Sequence, residues 1–238
     1  MPSSLSGSLL DVNCIMTKIP IVIGRRSSGE EYLVELQALP NMFISYSHDS
    51  QLPDTLIYLV NELLKPGAGV LIALSLSSSL AKMIKPGVPQ KNLLLEFMHA
   101  DGEADGIASM EGFIRAIIQE VQSRSKGGKP TSGRHPIQTP LVVVIDNLFE
   151  VIMSAKKRMV RSFIKLLTTA ALQQVYFIMG VSGIYRSLLT QLATVGKPLQ
   201  KPVSAFSQPL GAELVINPDD LLFYRNRNEI DHTRLYKV

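Results

Sequence analysis

The middle of the chain contains an acid at the end of an uninterrupted apolar run. Leu141 to Ile145 are all aliphatic, which predicts a strand buried on both faces, and Asp146 follows directly. A carboxylate at the carboxyl end of such a strand can hold Mg²⁺ beside a bound phosphate. A structural interpretation, in which Asp146 caps a turn, fits the sequence equally well. The next residue is Asn147, whose amide cannot serve as the general base of a hydrolytic reaction.

A second segment has the position of a phosphate-binding loop without its chemistry. Met42 to Ile44 predict a strand, and a loop then leads into a helix that opens at Pro53. A loop of the form Gly-x-x-x-x-Gly-Lys-Ser/Thr uses glycines to aim N–H groups at the phosphates and a lysine to neutralise their charge. The corresponding positions here hold Tyr46 and Gln51 for the glycines, Leu52 for the lysine and Pro53 for the hydroxyl. We therefore expect no hydrolysis at this loop.

The composition predicts one α/β domain. A chain of 238 residues that is 46% hydrophobic can bury the core of one such domain. We expect residues 1–18 to be an N-terminal extension and residues 19–238 to form the domain. The single cysteine, Cys14, excludes a disulfide framework and favours a cytosolic setting. The sequence contains no His/Cys cluster of the kind that binds a metal. We expect ATP with Mg²⁺ to bind weakly at most. The net charge of +4 is compatible with nucleic acid but does not require it.

Apolar strands that alternate with amphipathic helices predict a mostly parallel sheet covered on both faces. Ile19 to Gly24 and Tyr32 to Leu36 predict a hairpin ahead of this core, and residues 126–139 predict a flexible loop. A helix predicted over residues 154–173 repeats a cation every four residues, at Lys157, Arg161 and Lys165. Such a stripe is usually a solvated face. A surface that contacts nucleic-acid phosphates is the alternative.

In this order the elements resemble the motor domain of the FtsK/SpoIIIE family of DNA translocases and the related ATPase domains of type VII secretion motors. Residues 36–53 align with the strand and phosphate loop of that family, of which Pro40 and Ser50 remain. Residues 142–148 are similar to its Walker B strand. Leu210-Gly211-Ala212-Glu213 and the later Asp219-Asp220-Leu221-Leu222-Phe223 are similar to its C-terminal signature. The resemblance implies a P-loop NTPase fold of the RecA-like type.

The departures from the family are as informative as the matches. The family places a glutamate where this chain has Asn147, and a glutamine that senses the γ-phosphate where it has Ser182. Together with the altered phosphate loop, these losses predict a catalytically inactive domain, retained as a structural or substrate-recognition module. The resemblance implies neighbouring ATPase domains, or a secreted protein, as partners within a membrane-associated machine. A divergent weak ATPase and a DNA-binding accessory subunit remain as alternatives.

The altered loop itself allows two interpretations. Tyr46 and Leu52 place an aromatic and an apolar side chain where a triphosphate would lie, and aromatic side chains are common anchors of protein interfaces. The other interpretation is that both side chains fill the vacated pocket as part of the core. The sequence does not separate the two.

Overall fold

The computed structural model describes residues 18–38, 41–46, 52–65, 69–99, 105–125, 139–182, 212–216, 221–225 and 233–236. The proposed extension, apart from Lys18, and the proposed loop, apart from Thr139, lie outside these residues. The described strands are β1 (Pro20–Arg25), β2 (Glu31–Glu35), β3 (Asn41–Tyr46), β4 (Leu71–Ser77), β5 (Leu93–His99), β6 (Leu141–Ile145), β7 (Val175–Ser182), β8 (Ala212–Ile216), β9 (Leu221–Arg225) and β10 (Thr233–Tyr236).

The described helices are α1 (Leu52–Leu63), α2 (Ser78–Ile84), α3 (Asp105–Ser125), α4 (Leu148–Ser154) and α5 (Lys157–Thr169). Short 3₁₀ turns occupy Leu36–Ala38, Lys85–Gly87 and Ala170–Gln173. In the part of the chain that the structure describes, no helix is both long and apolar enough to span a bilayer.

All the described strands form a ten-stranded sheet in the order β2-β1-β10-β9-β8-β3-β7-β6-β4-β5. The neighbouring strands β8, β3, β7, β6, β4 and β5 are parallel to one another. Strands β9, β10, β1 and β2 extend the sheet beyond β8 through antiparallel pairs. The predicted mostly parallel sheet and the predicted hairpin are therefore both confirmed. The hairpin turns at Gly29, whose positive φ of 84° favours glycine.

Both faces of the parallel strands are buried, as their aliphatic sequences require. Along β6, Val142 and Val144 pack with α1 and α2 on one face, whereas Val143 and Ile145 pack with α3, α4 and α5 on the other. This alternation follows from the two-residue period of a strand. The sheet is thus the middle layer of a three-layer structure, as predicted.

The helix predicted over residues 154–173 is interrupted, which the apolar periodicity did not indicate. Ala155 is extended, with φ −89° and ψ 148°, and it separates α4 from α5. The backbone N–H of Lys156 donates to Glu111 Oε1 of α3 at 3.1 Å, and that contact holds the chain out of the helical path. The short helices α2 and α4 were not predicted.

A buried ion pair connects α3 to the amino-terminal edge of the sheet. Arg124 donates from Nε to Glu120 Oε1 at 3.0 Å, and their side chains are only 2% and 3% exposed. Arg124 also donates to the carbonyl of Thr139, just before β6, at 2.8 Å, and to that of Gln173, just before β7, at 3.4 Å. One guanidinium therefore fixes the end of α3 against the start of two central strands.

Both outer strands of the sheet, β2 and β5, carry ion-paired side chains. On β2, Glu35 pairs with Lys18 at 2.7 Å and Glu31 pairs with Arg25 at 3.5 Å, while Leu33 between them is exposed. On β5, at the opposite edge, Glu96 Oε2 pairs with Lys85 at 3.0 Å.

We expect Arg124→Met to destabilise the protein by about 3–5 kcal/mol, because it leaves the buried carboxylate of Glu120 without its cation. Urea unfolding followed by circular dichroism measures the loss. Arg115→Met is the matched control, since Arg115 lies on the same helix but is exposed; its effect should stay within about 0.5 kcal/mol. Equal effects of the two substitutions would contradict the role given to Arg124.

Candidate functional site

The carboxyl ends of β3, β7, β6 and β4 lie side by side and bring several of the predicted site residues together. Tyr46, at the end of β3, is paired with Ser182, at the end of β7. Ile145 of β6 is paired with Met179 of β7 and Ser75 of β4, so Asp146 lies between these two strands. In open α/β sheets, ligands bind at this edge. The residues that the sequence suggested as a site therefore lie at the edge where such folds bind ligands.

Asp146 is buried and hydrogen-bonded to the backbone of the neighbouring strand. Its Oδ2 accepts from the N–H of Ser77 at 2.7 Å, and its own N–H donates to the carbonyl of Ser75 at 3.2 Å. Ser77 is the N-cap of α2, so the carboxylate lies near the positive end of that helix. Asp146 thus has a structural hydrogen bond, to the backbone at the point where β4 leads into α2.

Asn147 also has a structural contact. Its side-chain Oδ1 accepts from the N–H of Glu150 at 3.2 Å, and Asn147 is the N-cap of α4. Asn is among the preferred N-cap residues because its short side chain reaches an otherwise unpaired N–H of the first turn. The residue at the proposed position of a general base thus starts a helix.

Leu52 and Tyr46 belong to the core. Each is 5% exposed, and both lie in the apolar cluster that also contains α1 and one face of the central strands. Of the two interpretations of the altered loop, the core interpretation agrees with this burial. An exposed contact surface formed by these two side chains does not.

Gly180 of β7 explains how closely Leu52 approaches the sheet. A Cβ at this position would lie 2.9 Å from Cδ2 of Leu52 and would overlap the carbonyl oxygen of Asp146. The absent side chain lets the leucine and the end of β6 pack against the backbone of β7. Leu52, which stands at the proposed lysine position, therefore packs onto the strand edge as an apolar side chain.

The remaining predicted site residues differ in their burial. Pro53 is half-buried in the first turn of α1, Ser182 is buried, and Ser50 and Gln51 lie outside the described residues. Lys157, Arg161 and Lys165 are exposed on α5. No hydrogen bond or ion pair within the described ranges joins these three cations to the edge.

The sequence analysis did not predict a role for two residues of this edge, Ser77 and Gly180. A lone glycine in the aliphatic strand from Val175 to Val181 was the signal for a close backbone approach. The run Ser77-Ser78-Ser79 after a strand was the signal for a helix N-terminus. Among the described side chains, no group of three or more His, Cys, Asp or Glu residues is placed to hold a metal ion.

The sheet order, the flanking helices and this edge define a P-loop NTPase fold of the RecA-like type. No protein-family model and no curated protein sequence matches the chain. The solved structures that resemble it include ATPases 2 and 3 of Thermomonospora curvata EccC in complex with a signal sequence peptide. That match has a TM-score of 0.60 and 13% identity, and it covers 93% of this chain and 40% of that one.

Two further solved structures have the same architecture. ATPases 2 and 3 of Geobacillus thermodenitrificans EssC match with a TM-score of 0.58 and 12% identity over 92% of this chain and 44% of that one. The pCW3 conjugation coupling protein TcpA, with ATPγS, matches with a TM-score of 0.54 and 13% identity over 91% and 65%. This chain thus spans less than two thirds of each of the three structures. At these identities the likeness establishes the fold alone.

We expect Gly180→Ala to destabilise the protein by more than about 2 kcal/mol, because the new methyl group overlaps the backbone of Asp146. Thermal unfolding measures the shift. The matched control is Gly112→Ala on α3, where an added Cβ meets no atom within 4 Å. The control should leave stability unchanged or raise it by up to about 1 kcal/mol, because alanine favours a helix. A Gly180→Ala protein as stable as its control would show that β7 can move away.

Leu52→Ala should cost about 2–5 kcal/mol of the free energy of unfolding, as other large-to-small core substitutions do. Urea unfolding measures it, with Met83→Ala as the control because Met83 is 52% exposed. If Leu52→Ala costs no more than the control, Leu52 is not part of the core.

Proposed function

We propose that this chain is an FtsK/SpoIIIE-like domain of a translocation motor that does not hydrolyse ATP. In this proposal it acts as a structural or substrate-recognition module, and type VII protein secretion is the favoured setting. The observation that carries the proposal is the buried Leu52. In the proposed alignment Leu52 stands at the lysine position of the phosphate loop, and its side chain is buried beside Gly180 instead of carrying a charge to a triphosphate.

The contacts of the neighbouring residues support the same function. Asp146 and Asn147 bind backbone N–H groups at the starts of α2 and α4, so both side chains have structural partners. An amide at position 147 cannot take a proton from an attacking water. A domain with these substitutions keeps its architecture and loses the groups that stabilise phosphoryl transfer.

The proposed partners follow from the structural relatives. The EccC and EssC structures each contain more than one ATPase domain, and the EccC structure includes a signal sequence peptide. We therefore assign this chain to a place beside other ATPase domains, in the cytoplasmic part of a membrane-associated machine. In that place it contacts the neighbouring domains or the protein that is moved.

A divergent weak ATPase is the second candidate, and the retention of Asp146 at the end of β6 favours it. In that case Asp146 would hold Mg²⁺ and a neighbouring subunit would supply the missing catalytic groups. The two candidates differ in the affinity for nucleotide, since an ATPase must bind its substrate.

We expect the purified protein to release no phosphate from ATP above the rate of a blank with Mg²⁺. The physical reason is the joint absence of the lysine, the phosphate-loop glycines and the glutamate. A steady-state phosphate-release assay measures it. Turnover that Asp146→Ala abolishes and Asp54→Ala leaves intact would refute the proposal; Asp54 is an exposed acid on α1 and serves as the control.

Nucleotide should bind no more tightly than about 1 mM, which corresponds to about 4 kcal/mol. Leucine and proline at positions 52 and 53 supply neither a cation nor a hydroxyl for the metal. Isothermal titration calorimetry with Mg·ATP measures this affinity. Micromolar binding that Asp146→Ala weakens would favour the second candidate.

A further inference from the structure

A groove between α3 and α5 lies on the face of the protein formed by these helices. Its volume is about 410 Å³. Both walls follow helical spacing, with α3 contributing positions 118, 121, 122 and 125 and α5 contributing 162, 165, 166 and 169. Leu172 and Gln173, in the 3₁₀ turn after α5, close one end. The groove is therefore straight and about two helical turns long, roughly 10 Å.

The groove lies away from the carboxyl edge of the sheet. Arg124, near the end of α3, contacts the carbonyl of Gln173, just beyond the end of α5, so the two helices end close together. The same guanidinium contacts Thr139, just before β6, which places these helix ends at the amino-terminal edge of the strands. A ligand in the groove would not compete with anything bound near Asp146.

The floor of the groove is apolar and an exposed leucine lies at one end, whereas the other lining side chains are polar. Val121 and Leu166 are buried there and Ile118 is half-buried, whereas Leu172 is 81% exposed. An exposed leucine at the end of an apolar groove is a surface that gains free energy when a partner covers it. The lining includes no aromatic side chain on which a nucleic-acid base could stack.

One charged side chain, Lys165, is among the residues that line the groove, and further exposed cations lie along the same two helices. The side chains of Arg115, Lys157, Arg158, Arg161 and Lys165 are exposed, and no ion pair joins any of them to an acid in the described part of the chain. On α3 the acids whose side chains the structure describes are Glu111, which pairs with Lys156, and Glu120, which pairs with Arg124, and both are buried. Helix α5 contains no acid. The basic stripe of α5 therefore begins at Lys165 in the groove and continues along the helix to Arg161 and Lys157.

We propose that this groove is the docking site for an acidic amphipathic helix of a protein partner. The apolar side chains of the partner helix would cover Leu172 and Ile118, and its carboxylates would lie along Lys165, Arg161 and Lys157. The segment from Lys157 to Leu172 has 16 residues, so a helix of about four turns matches the whole surface. Helix-in-groove recognition uses this arrangement of apolar anchors at helical spacing.

Two occupants from this chain itself fit less well. Residues 126–138, which follow α3, contain Lys126, Lys129 and Arg134 and no acid, so their charge opposes binding beside α5. A second copy would need an acidic helix, but among the described side chains no helix of this chain exposes more than one carboxylate. The charge complementarity therefore points to a different protein. The inference holds whether or not the domain binds nucleotide.

The test uses fluorescence anisotropy with the full chain and a designed probe. The probe is a fluorescein-labelled helical peptide of about 18 residues with leucine on one face and glutamate on the others. A scrambled peptide of the same composition tests whether amphipathicity matters, a lysine-for-glutamate peptide tests charge, and a short DNA duplex tests the nucleic-acid alternative. We expect the acidic amphipathic peptide to bind at least about tenfold more tightly than each of the other three.

Substitutions in the chain locate the binding. Leu172→Ala and the pair Arg161→Glu with Lys165→Glu should each weaken the acidic peptide by at least about tenfold. The matched controls are Met83→Ala and the pair Lys82→Glu with Lys91→Glu, because these exposed residues lie outside the groove. The controls should leave the affinity unchanged. Thermal unfolding of every variant checks that each protein is folded.

Several results would overturn the proposal. One is that the acidic peptide does not bind, or binds no better than its scrambled form. Another is that the DNA duplex binds more tightly than the peptide, which would make the stripe a phosphate-contacting surface. A third is that the groove and control variants bind alike. The last is that sedimentation detects a dimer that Leu172→Glu dissociates, which would make a second copy the occupant.

Discussion

The burial of both faces of the parallel strands is the constraint on which the rest of the structure depends. In a sheet covered by helices on both faces, the backbone polar groups pair within the sheet, except along its two outer strands and where each strand ends. Where a strand ends, the chain must continue into a helix without leaving backbone N–H groups unpaired. Asp146 and Asn147 meet that requirement, since they accept hydrogen bonds from the N–H groups of Ser77 and Glu150. Side chains at positions where a nucleotide site is expected thus pair with backbone N–H groups of the fold.

Much of this architecture could be predicted because its signals are local. The aliphatic run from Leu141 to Ile145 predicted a buried strand, and the helix predicted to open at Pro53 is α1. The helices α2 and α4 were missed because each has seven residues, too few to show a helical period. The break at Ala155 depends on a contact between Lys156 and Glu111, which lie 45 positions apart. No local pattern carries such information.

The same distinction applies to the site. The resemblance to a known motor domain located Tyr46, Asp146 and Ser182, which the structure places on adjoining strands of the carboxyl edge. The burial of Leu52 against Gly180 could not be predicted, because it depends on how closely β7 approaches the end of β6. The cations of α5 were visible as a stripe. That this stripe leads to an apolar groove depends on the packing of α3, which the sequence of α5 does not specify.

The charged side chains at the two edges of the sheet have a consequence for the behaviour of the protein at high concentration. A sheet of ten strands ends in two rows of backbone groups that could pair with another molecule. The ion-paired Glu31 and Glu35 lie on one outer strand, and the partly buried Glu96 lies on the other. An incoming strand would have to displace or desolvate these carboxylates. Pairing of the outer strands with a second molecule is therefore disfavoured, even though Leu33 on the outer strand is exposed.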